Sequence, residues 1–580
     1  MIQKLKRLWQ ESCEVKNLFR LVSLFTMIGL LNILSANALG GITENMINLN
    51  VDTAKKILGL LIVLAIIILG LTYVTNLLQT RVIEQMRIKF KYKTVESILE
   101  SSHEFSQNQE QGDLINRLNN DVSSLVSASN SSIMLLKSLI IIVMLMVALF
   151  LTNWRFFIIF LVPFPFIVLI QVYASKKSLD LIMPWKVAMG ETDALNQDLL
   201  NNRTSIRVFR IYEQVESWVE KALKKSAKTG IEGISKLYII QTPTAILAIL
   251  PVFFVGGFGA LWIQKGIINI TQLVSAFTII QLAMMEFNYA TNALQNIPHL
   301  LVSTQRIFPI WDAQKEMFGS YSGDGIDNAP FIEFRNVSFS YPSDEENPIK
   351  VIDNLSFKID EFSSVGLVGT SGSGKSTIFK LLMGMYVPTE GTIYYKGISI
   401  QAWSKESLRE QIAIVTQNNY LFNDTVYENL RYVKPNASDE SLKELLHSVD
   451  LGDWADTRSK DELIGERGSK LSGGQRQRIM IARTLLKEST LYLFDEATSA
   501  LDIKTEKKIQ ETLYKGLKNK TQIIIAHRLR TLKHCSVIFV FDQGQLREQG
   551  THDDLMKHNK IYANMYKNQM EELKNEEQNV

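Results

Sequence analysis

Cysteine is nearly absent: Cys13 and Cys535 are the only two in 580 residues. They stand in opposite halves of the chain, and neither has a metal-ligand spacing. That excludes a disulfide framework and a cysteine zinc site, and leaves two reduced thiols. An excess of one charge is lacking too. The net charge is +3, with 62 Lys and Arg against 59 Asp and Glu. A nucleic-acid footprint normally needs a basic patch or a domain pI above about 9, so no nucleic-acid partner is expected. No small-residue cleavage site follows the first apolar run, which therefore reads as a retained helix rather than a removed signal peptide. A single compact core is excluded by length alone, so two or more domains are expected.

What is abundant is apolar residues, unevenly placed. The mean hydropathy of +0.04 hides long apolar runs crowded into residues 18–310, while the chain after residue 330 has an ordinary globular composition. A membrane-spanning helix needs about 20 mostly apolar residues. Six stretches qualify: 18–38, 57–79, 133–151, 156–175, 237–263 and 267–287. The connections alternate between short ones and two long polar ones, 80–132 and 176–236. The long ones carry Arg81, Arg87, Lys89, Lys91, Lys93 and Arg117, then Lys176, Lys177, Arg203, Arg207, Arg210 and Lys221. Positive-inside bias puts both on the cytoplasmic side, and Lys4, Lys6 and Arg7 put the N-terminus there as well. Both connections keep helical periodicity, which predicts helices that run past the membrane. Pro163, Pro165, Pro243 and Pro251 are expected to kink the fourth and fifth spans. Glu286 falls in or beside the sixth span. A carboxylate there is either functional or paired near the span's inner end. Lys137 is expected to snorkel to the interface.

The second half carries a phosphate-binding pattern. Gly369-Thr-Ser-Gly-Ser-Gly-Lys-Ser376 fits G-x-x-x-x-G-K-[ST], with an apolar strand before it and a helix-forming segment after it. Its glycines let backbone N–H groups wrap phosphates, and the helix N-terminus adds positive potential. The candidate nucleotide contacts are Gly369, Thr370, Ser371, Gly372, Ser373, Gly374, Lys375, Ser376 and Thr377. Lys375 reaches the β- and γ-phosphates in this pattern, and Ser376 ligates Mg²⁺. Farther on, the apolar strand in Thr490-Leu-Tyr-Leu-Phe-Asp-Glu496 ends on two carboxylates. Asp495 is placed to hold Mg²⁺ and Glu496 to activate the attacking water.

Between these two elements, Leu471-Ser-Gly-Gly-Gln475 resembles the signature motif of the ATP-binding-cassette (ABC) family, and Gln-Arg-Gln-Arg-Ile follows as it does there. Other positions agree. Tyr341 resembles the aromatic that stacks on adenine. Gln417 resembles the glutamine that touches Mg²⁺. Ser499-Ala-Leu-Asp502 resembles the loop at the dimer interface, and His527 resembles the γ-phosphate histidine. The resemblance thus implies catalytic roles for Glu496, His527 and Gln417, ATP contacts for Tyr341 and Asp502, and Mg²⁺ ligation by Ser376, Gln417 and Asp495.

It also implies a fold: an α-helical membrane domain of six long spans, exporter type, followed by an α/β phosphate-loop cassette. The expected division is 1–320 for the membrane domain, 321–330 for a linker, 331–568 for the cassette and 569–580 for a polar tail. In the family the signature loop, here Ser472, Gly473, Gly474 and Gln475, serves ATP bound by another subunit. One membrane domain with one cassette therefore looks like half a transporter. Glu496 and the signature are intact, which favours a homodimer over a heterodimer. Gly112–Asp121 resembles the first coupling region, and Arg203–Phe209 lies where the second is expected. Phe287 stands where relatives often have proline. The implied activity is ATP-driven export of amphipathic small molecules, peptides or lipids. The alternatives are import through the same architecture, or regulation or channel gating. The spans carry few charges, so an apolar cavity is expected. No N-terminal segment is long enough for a leader peptidase. A Lys-, Ile- and Asn-rich composition suggests a bacterial chain of AT-rich coding, and with six spans the expected location is the bacterial plasma membrane.

Overall fold

A run such as Ile57–Gly70 offers no polar side chain to satisfy its own backbone, so in an apolar medium only a helix pairs every N–H and C=O. The computed structural model bears this out. It describes residues 7–8, 15–107, 109, 111–342, 349–416, 420–457, 459–496, 503–526 and 528–578. They form two units: Met1–Glu100 with Gln109–Ala313, and Ser101–Asn108 with Gln314–Val580.

The first unit is all helix. Its long members are Val15–Ile47, Val51–Glu100, Val122–Thr152, Phe164–Asn201, Tyr212–Gln264 and Ile270–Trp311. Val51–Glu100 has 50 residues and Tyr212–Gln264 has 53. At 1.5 Å per residue each is roughly 75–80 Å long, more than twice a bilayer core of about 30 Å. The expected helical extensions are therefore present. Among the described residues, five helices are long and apolar enough to cross a membrane, and Ile249–Gln264 is a shorter apolar stretch at the end of Tyr212–Gln264. Leu58, Ile62, Ile66 and Leu69 are exposed along one helix, as a lipid-facing surface requires.

The prolines divide. Pro163 interrupts the hydrogen-bonded helix of the fourth stretch, giving Trp154–Leu161 and Phe164–Asn201, while Trp154–Asn201 as a whole is long and apolar enough to cross a membrane. Pro243 and Pro251 sit inside the unbroken helix Tyr212–Gln264. Phe287 is buried, and Ile270–Trp311 continues through it. Helix Tyr212–Gln264 packs along Phe164–Asn201. A Cβ on Gly233 would come within 2.2 Å of the Leu181 carbonyl oxygen, so this close crossing requires the missing side chain.

The second unit is α/β. Its strands are β1 (Ile332–Ser340), β2 (Lys350–Ile359), β3 (Ser364–Gly369), β4 (Glu390–Tyr395), β5 (Ile398–Ser399), β6 (Ile412–Val415), β7 (Leu491–Asp495), β8 (Thr521–Ile525), β9 (Val537–Asp542) and β10 (Gln545–Gly550). A four-stranded antiparallel sheet has the order β2-β1-β4-β5. A six-stranded sheet has the order β10-β9-β3-β8-β7-β6, parallel except for β10 at its edge. β3 and β7 are continuous apolar runs because parallel strands are covered on both faces. Their C-terminal ends deliver the phosphate-loop and Asp495-Glu496 segments to one edge of the sheet.

The first coupling region falls elsewhere than expected. Gly112–Asp121 belongs to the helical unit, where Arg306 pairs with both Asp113 and Asp121. The segment that clusters with the α/β unit is Ser101–Asn108, with the short helix His103–Gln107. There Tyr386 OH donates to Gln107 Oε1 at 3.0 Å, and His103 meets the Tyr386 ring edge-on at 5.3 Å.

Candidate functional site

The phosphate-loop segment leaves β3 and turns into helix Lys375–Leu382. Gly374 caps that helix with φ at +94°, a conformation that favours glycine. Lys375 Nζ donates to the carbonyls of Gly369 at 2.9 Å and Thr370 at 2.8 Å, and to Ser373 Oγ at 3.2 Å. The ammonium is thus held inside its own loop. Burial pulls its pKa below the usual lysine value, and the charges of Glu496 and Asp495 oppose that shift. The two carboxylates at the end of β7 therefore act electrostatically on this lysine. Ser376 is exposed, and its hydroxyl makes no hydrogen bond to a described residue.

Glu496 is held in an unusual backbone state. Its φ is +53°, a left-handed value that costs a branched or bulky residue about 1–2 kcal/mol. Two contacts fix it: Glu496 N donates to Ile525 O at 3.0 Å, and Gln477 Nε2 donates to Glu496 O at 3.2 Å. Tyr341 lies on the other side of the loop helix. Its OH is 3.0 Å from Thr377 Oγ1, and Lys380 Nζ donates to it at 3.4 Å. Its ring stands edge-on to Phe339 and to Tyr386.

The signature segment starts helix Gly473–Leu486 with a capping box. Gln475 N donates to Ser472 Oγ at 3.2 Å, and Ser472 N donates to Gln475 Oε1 at 2.9 Å. Gln475 thus shapes the helix start. Ser472 and Gly473 are exposed at the positive end of the helix. Among the described residues, no hydrogen bond or ion pair joins Ser472–Gln475 to Gly369–Thr377. The structure thus brings together the phosphate loop, Tyr341, Asp495 and Glu496, and leaves the signature open to solvent. Gln417, Asp502 and His527 lie outside the described residues.

Two family models match the chain: one described as ABC transporter over residues 352–499, and one described as ABC transporter transmembrane region over residues 18–287. The chain belongs to the ABC transporter family. The transporter is 31% identical over 475 residues to the ATP-dependent lipid A-core flippase of Escherichia coli strain K12, covering 80% of each chain. It is likewise 31% identical over 479 residues to the protein of that name from Shigella sonnei strain Ss046, at 80% of each chain. A solved bacterial Atm1-family ABC exporter with ATP bound shares its fold at a TM-score of 0.83 and 26% identity, over 96% of this chain and 99% of that one. The transporter is an integral membrane protein that binds and hydrolyses ATP to drive export. Import and channel gating are not favoured by these relatives.

In the transporter's helical unit, Glu286 is paired rather than bare. Ser138 Oγ donates to Glu286 Oε2 at 2.9 Å, and Lys137 Nζ lies 4.0 Å from Glu286 Oε1. Lys137 thus faces Glu286 on a neighbouring helix, and its ammonium also lies 5.7 Å from the Tyr289 ring centroid. Gln79 donates to Asn130 and Gln171 to the Thr291 carbonyl, so polar groups among the helices find partners there.

Two contributors to the site escaped sequence reasoning. Gln477 falls in the Gln-Arg-Gln-Arg-Ile run that follows the signature, but that run assigns it no role. Glu506 is 2% exposed and accepts from Arg528 Nη1 at 2.5 Å and Arg530 Nη2 at 2.8 Å, tying helix Ile503–Gly516 to the segment after β8. Its only sequence signal is a charge at a helical position. Cys535 is a buried free thiol; Cys13 lies outside the described residues.

Proposed function

We propose that this chain forms a homodimeric exporter of lipids or lipid-like amphiphiles, with residues 1–320 as its membrane domain and 331–568 as its ATP-hydrolysing domain. The backbone of Glu496, turned into a left-handed state at the end of β7 and held there by Gln477 and Ile525, is the observation that carries the catalytic assignment. In this reading Glu496 takes a proton from water as the water oxygen attacks the γ-phosphorus. The bond to the β–γ bridging oxygen breaks, and ADP and phosphate leave. Lys375 and the loop N–H groups neutralise the phosphates, and Tyr341 stacks on the base. Gln417 and His527 complete the γ-phosphate contacts, and Asp502 faces the dimer seam. Ser376 and Asp495 are hard oxygen donors, one hydroxyl and one carboxylate, which suits Mg²⁺ with Gln417 as a further ligand. The ion would supply charge neutralisation at the phosphates.

Pairing of two chains is supported by the solvent-open signature helix and by the second coupling segment. Val208 and Phe209 at the end of helix Arg203–Phe209 are 72% and 73% exposed, an apolar tip suited to another subunit. A symmetric pair lets Ser472, Gly473 and Gly474 of each subunit close on ATP held by the other. The intact Glu496 and signature support two copies of the same chain. The basic long connections support a cytoplasmic cassette and N-terminus in a bacterial plasma membrane. The paired polar groups among the spans, together with the flippase relatives, support a lipid cargo. The test is Glu496→Gln in reconstituted protein. It should bind ATP, accumulate as a closed dimer and hydrolyse almost none. Normal turnover would remove Glu496 from the chemistry. Wild-type ATPase stimulated by lipids more than by peptides or drugs would carry the cargo reading, and the reverse order would sink it.

A further inference from the structure

The α/β unit contains a cavity whose lining includes no phosphate-loop residue. Under helix Ile503–Gly516 lies a cavity of about 940 Å³, within the range of small-molecule sites. It extends from Phe362 and Lys520, beside the start of β8, to Ala526 and Glu496 beyond its end. β8 has five residues, so at about 3.3 Å per residue the strand that runs along it is roughly 16 Å long. Its lining is mixed: Phe362, Phe494, Leu513 and Ile524 supply apolar surface, and Gln510, Gln522, Thr531 and His534 stand among them. Strand alternation helps here, since Gln522 and Ile524 are only half-buried while Ile523 between them is buried in the core.

The lining is rich in lysine. Lys507, Lys515, Lys518 and Lys520 all belong to it. Lys507, Lys515 and Lys518 make no ion pair or hydrogen bond with a described residue. The contrast with the next position is direct, because Lys508, about 100° farther round the same helix, pairs with Asp450. The cavity's own carboxylates are Glu496, which belongs to the ATP site, and Glu511. Arg528 is already taken by Glu506. Lys515, Lys518 and Lys520 lie within six residues at the end of the helix and the start of β8, whose Ile524 and Ile525 also line the cavity. Such an arrangement attracts an anionic head and leaves a long apolar body to fill the space beneath the helix.

We propose that this cavity binds a single-chain amphipathic anion, a fatty carboxylate, with its head at Lys515, Lys518 and Lys520 and its chain lying along β8 toward Glu496. Because the far end of the cavity is lined by Glu496, occupancy would act on hydrolysis from within the same unit.

The experiment uses the full chain in lipid nanodiscs and a photoreactive palmitate analogue, with labelled peptides mapped by mass spectrometry. Labelling of peptides between Lys507 and Ser536 should be chased by palmitate but not by palmityl alcohol. The double substitution K515E/K518E should abolish that labelling, and the neutral K515Q/K518Q should weaken it. Both variants lie outside the ATP machinery and should retain basal hydrolysis, which also checks that they fold. The proposal is overturned if labelling is confined to the membrane helices, is chased equally by the alcohol, or persists after charge reversal. The readout does not depend on hydrolysis, so it separates this site from the roles assigned to Glu496 and Lys375.

Discussion

Gln477 Nε2 donates to the main-chain carbonyl of Glu496 at 3.2 Å, joining the first turns of the signature helix to the end of β7. The bond is part of what holds Glu496 at a φ of +53°. Gln477 is 2% exposed, so water cannot replace it readily. Removing the amide leaves Glu496 freer to relax to an ordinary backbone and to turn its carboxylate away. Gln477→Leu should therefore lower kcat about tenfold, the equivalent of ~1.4 kcal/mol of barrier. KM for ATP should change much less. A variant with wild-type kcat would show that the clamp is structural only.

Lys375 gives a complementary case. Its ammonium is already gathered by three loop oxygens, so its loss removes a preformed cation as well as a contact. Lys375→Ala should lose ATP binding, read directly by equilibrium binding of a labelled nucleotide. Unchanged affinity would count against the phosphate-loop assignment.

The motif residues were legible because their chemistry is local. The phosphate loop is eight consecutive residues, and the Ser472–Gln475 capping box closes over three positions. The partners that set their geometry were not legible. Gln477 and Glu496 are 19 residues apart and Glu506 and Arg528 are 22 apart, and the packing of helix against sheet brings each pair together. The coupling segment shows the same limit. Gly112–Asp121 carried the family resemblance, but Arg306 from a distant helix claims Asp113 and Asp121, and Ser101–Asn108 joins the α/β unit instead. Proline gave mixed signals because the outcome depends on context. Pro163 broke its helix, while Pro243 and Pro251 were absorbed into one.

Glu506 should matter for stability out of proportion to its place outside the motifs. Its carboxylate is buried and answers two arginines that remain partly exposed. Glu506→Ala removes charge-assisted hydrogen bonds worth about 2 kcal/mol after allowance for the solvent at the arginines. Thermal unfolding of the full chain should show a lowered transition for the α/β unit. Glu506→Gln should recover part of the loss, and an unchanged transition would refute the role.

Cys535 offers a pH test. Burial pushes its thiol from the ordinary 9.0 up to about 11, while Ser364 Oγ, 3.7 Å away, opposes the shift. The folded protein keeps this proton where the unfolded chain would release it. The contribution to stability is therefore constant below about pH 9 and falls as pH rises toward 11. In a Cys13→Ser background, alkylation of Cys535 by iodoacetamide should stay slow at neutral pH and rise only near the upper end of that window. A titration centred at 9.0, the ordinary thiol value, would contradict the burial.

The Lys137–Glu286 pair decides between two meanings of a carboxylate among the spans. If Glu286 serves mainly as the partner of Lys137 and Ser138, removing either charge alone leaves the other poorly compensated in a medium that penalises charge. Lys137→Met and Glu286→Gln should then each lower the thermal stability of the reconstituted protein, and the double variant should recover most of the loss. The coupling energy should fall at about 1–3 kcal/mol, the range for groups in contact. If Glu286 instead recognises a cationic group on cargo, Glu286→Gln should remove cargo-stimulated ATPase while stability stays intact, and Lys137→Met should strengthen stimulation by freeing the carboxylate. The 4.0 Å separation of Nζ and Oε1, with the serine hydroxyl at 2.9 Å on the other oxygen, leaves little of the carboxylate available to a ligand. The structural outcome is therefore the expected one, and the double-mutant cycle measures it without knowledge of the cargo.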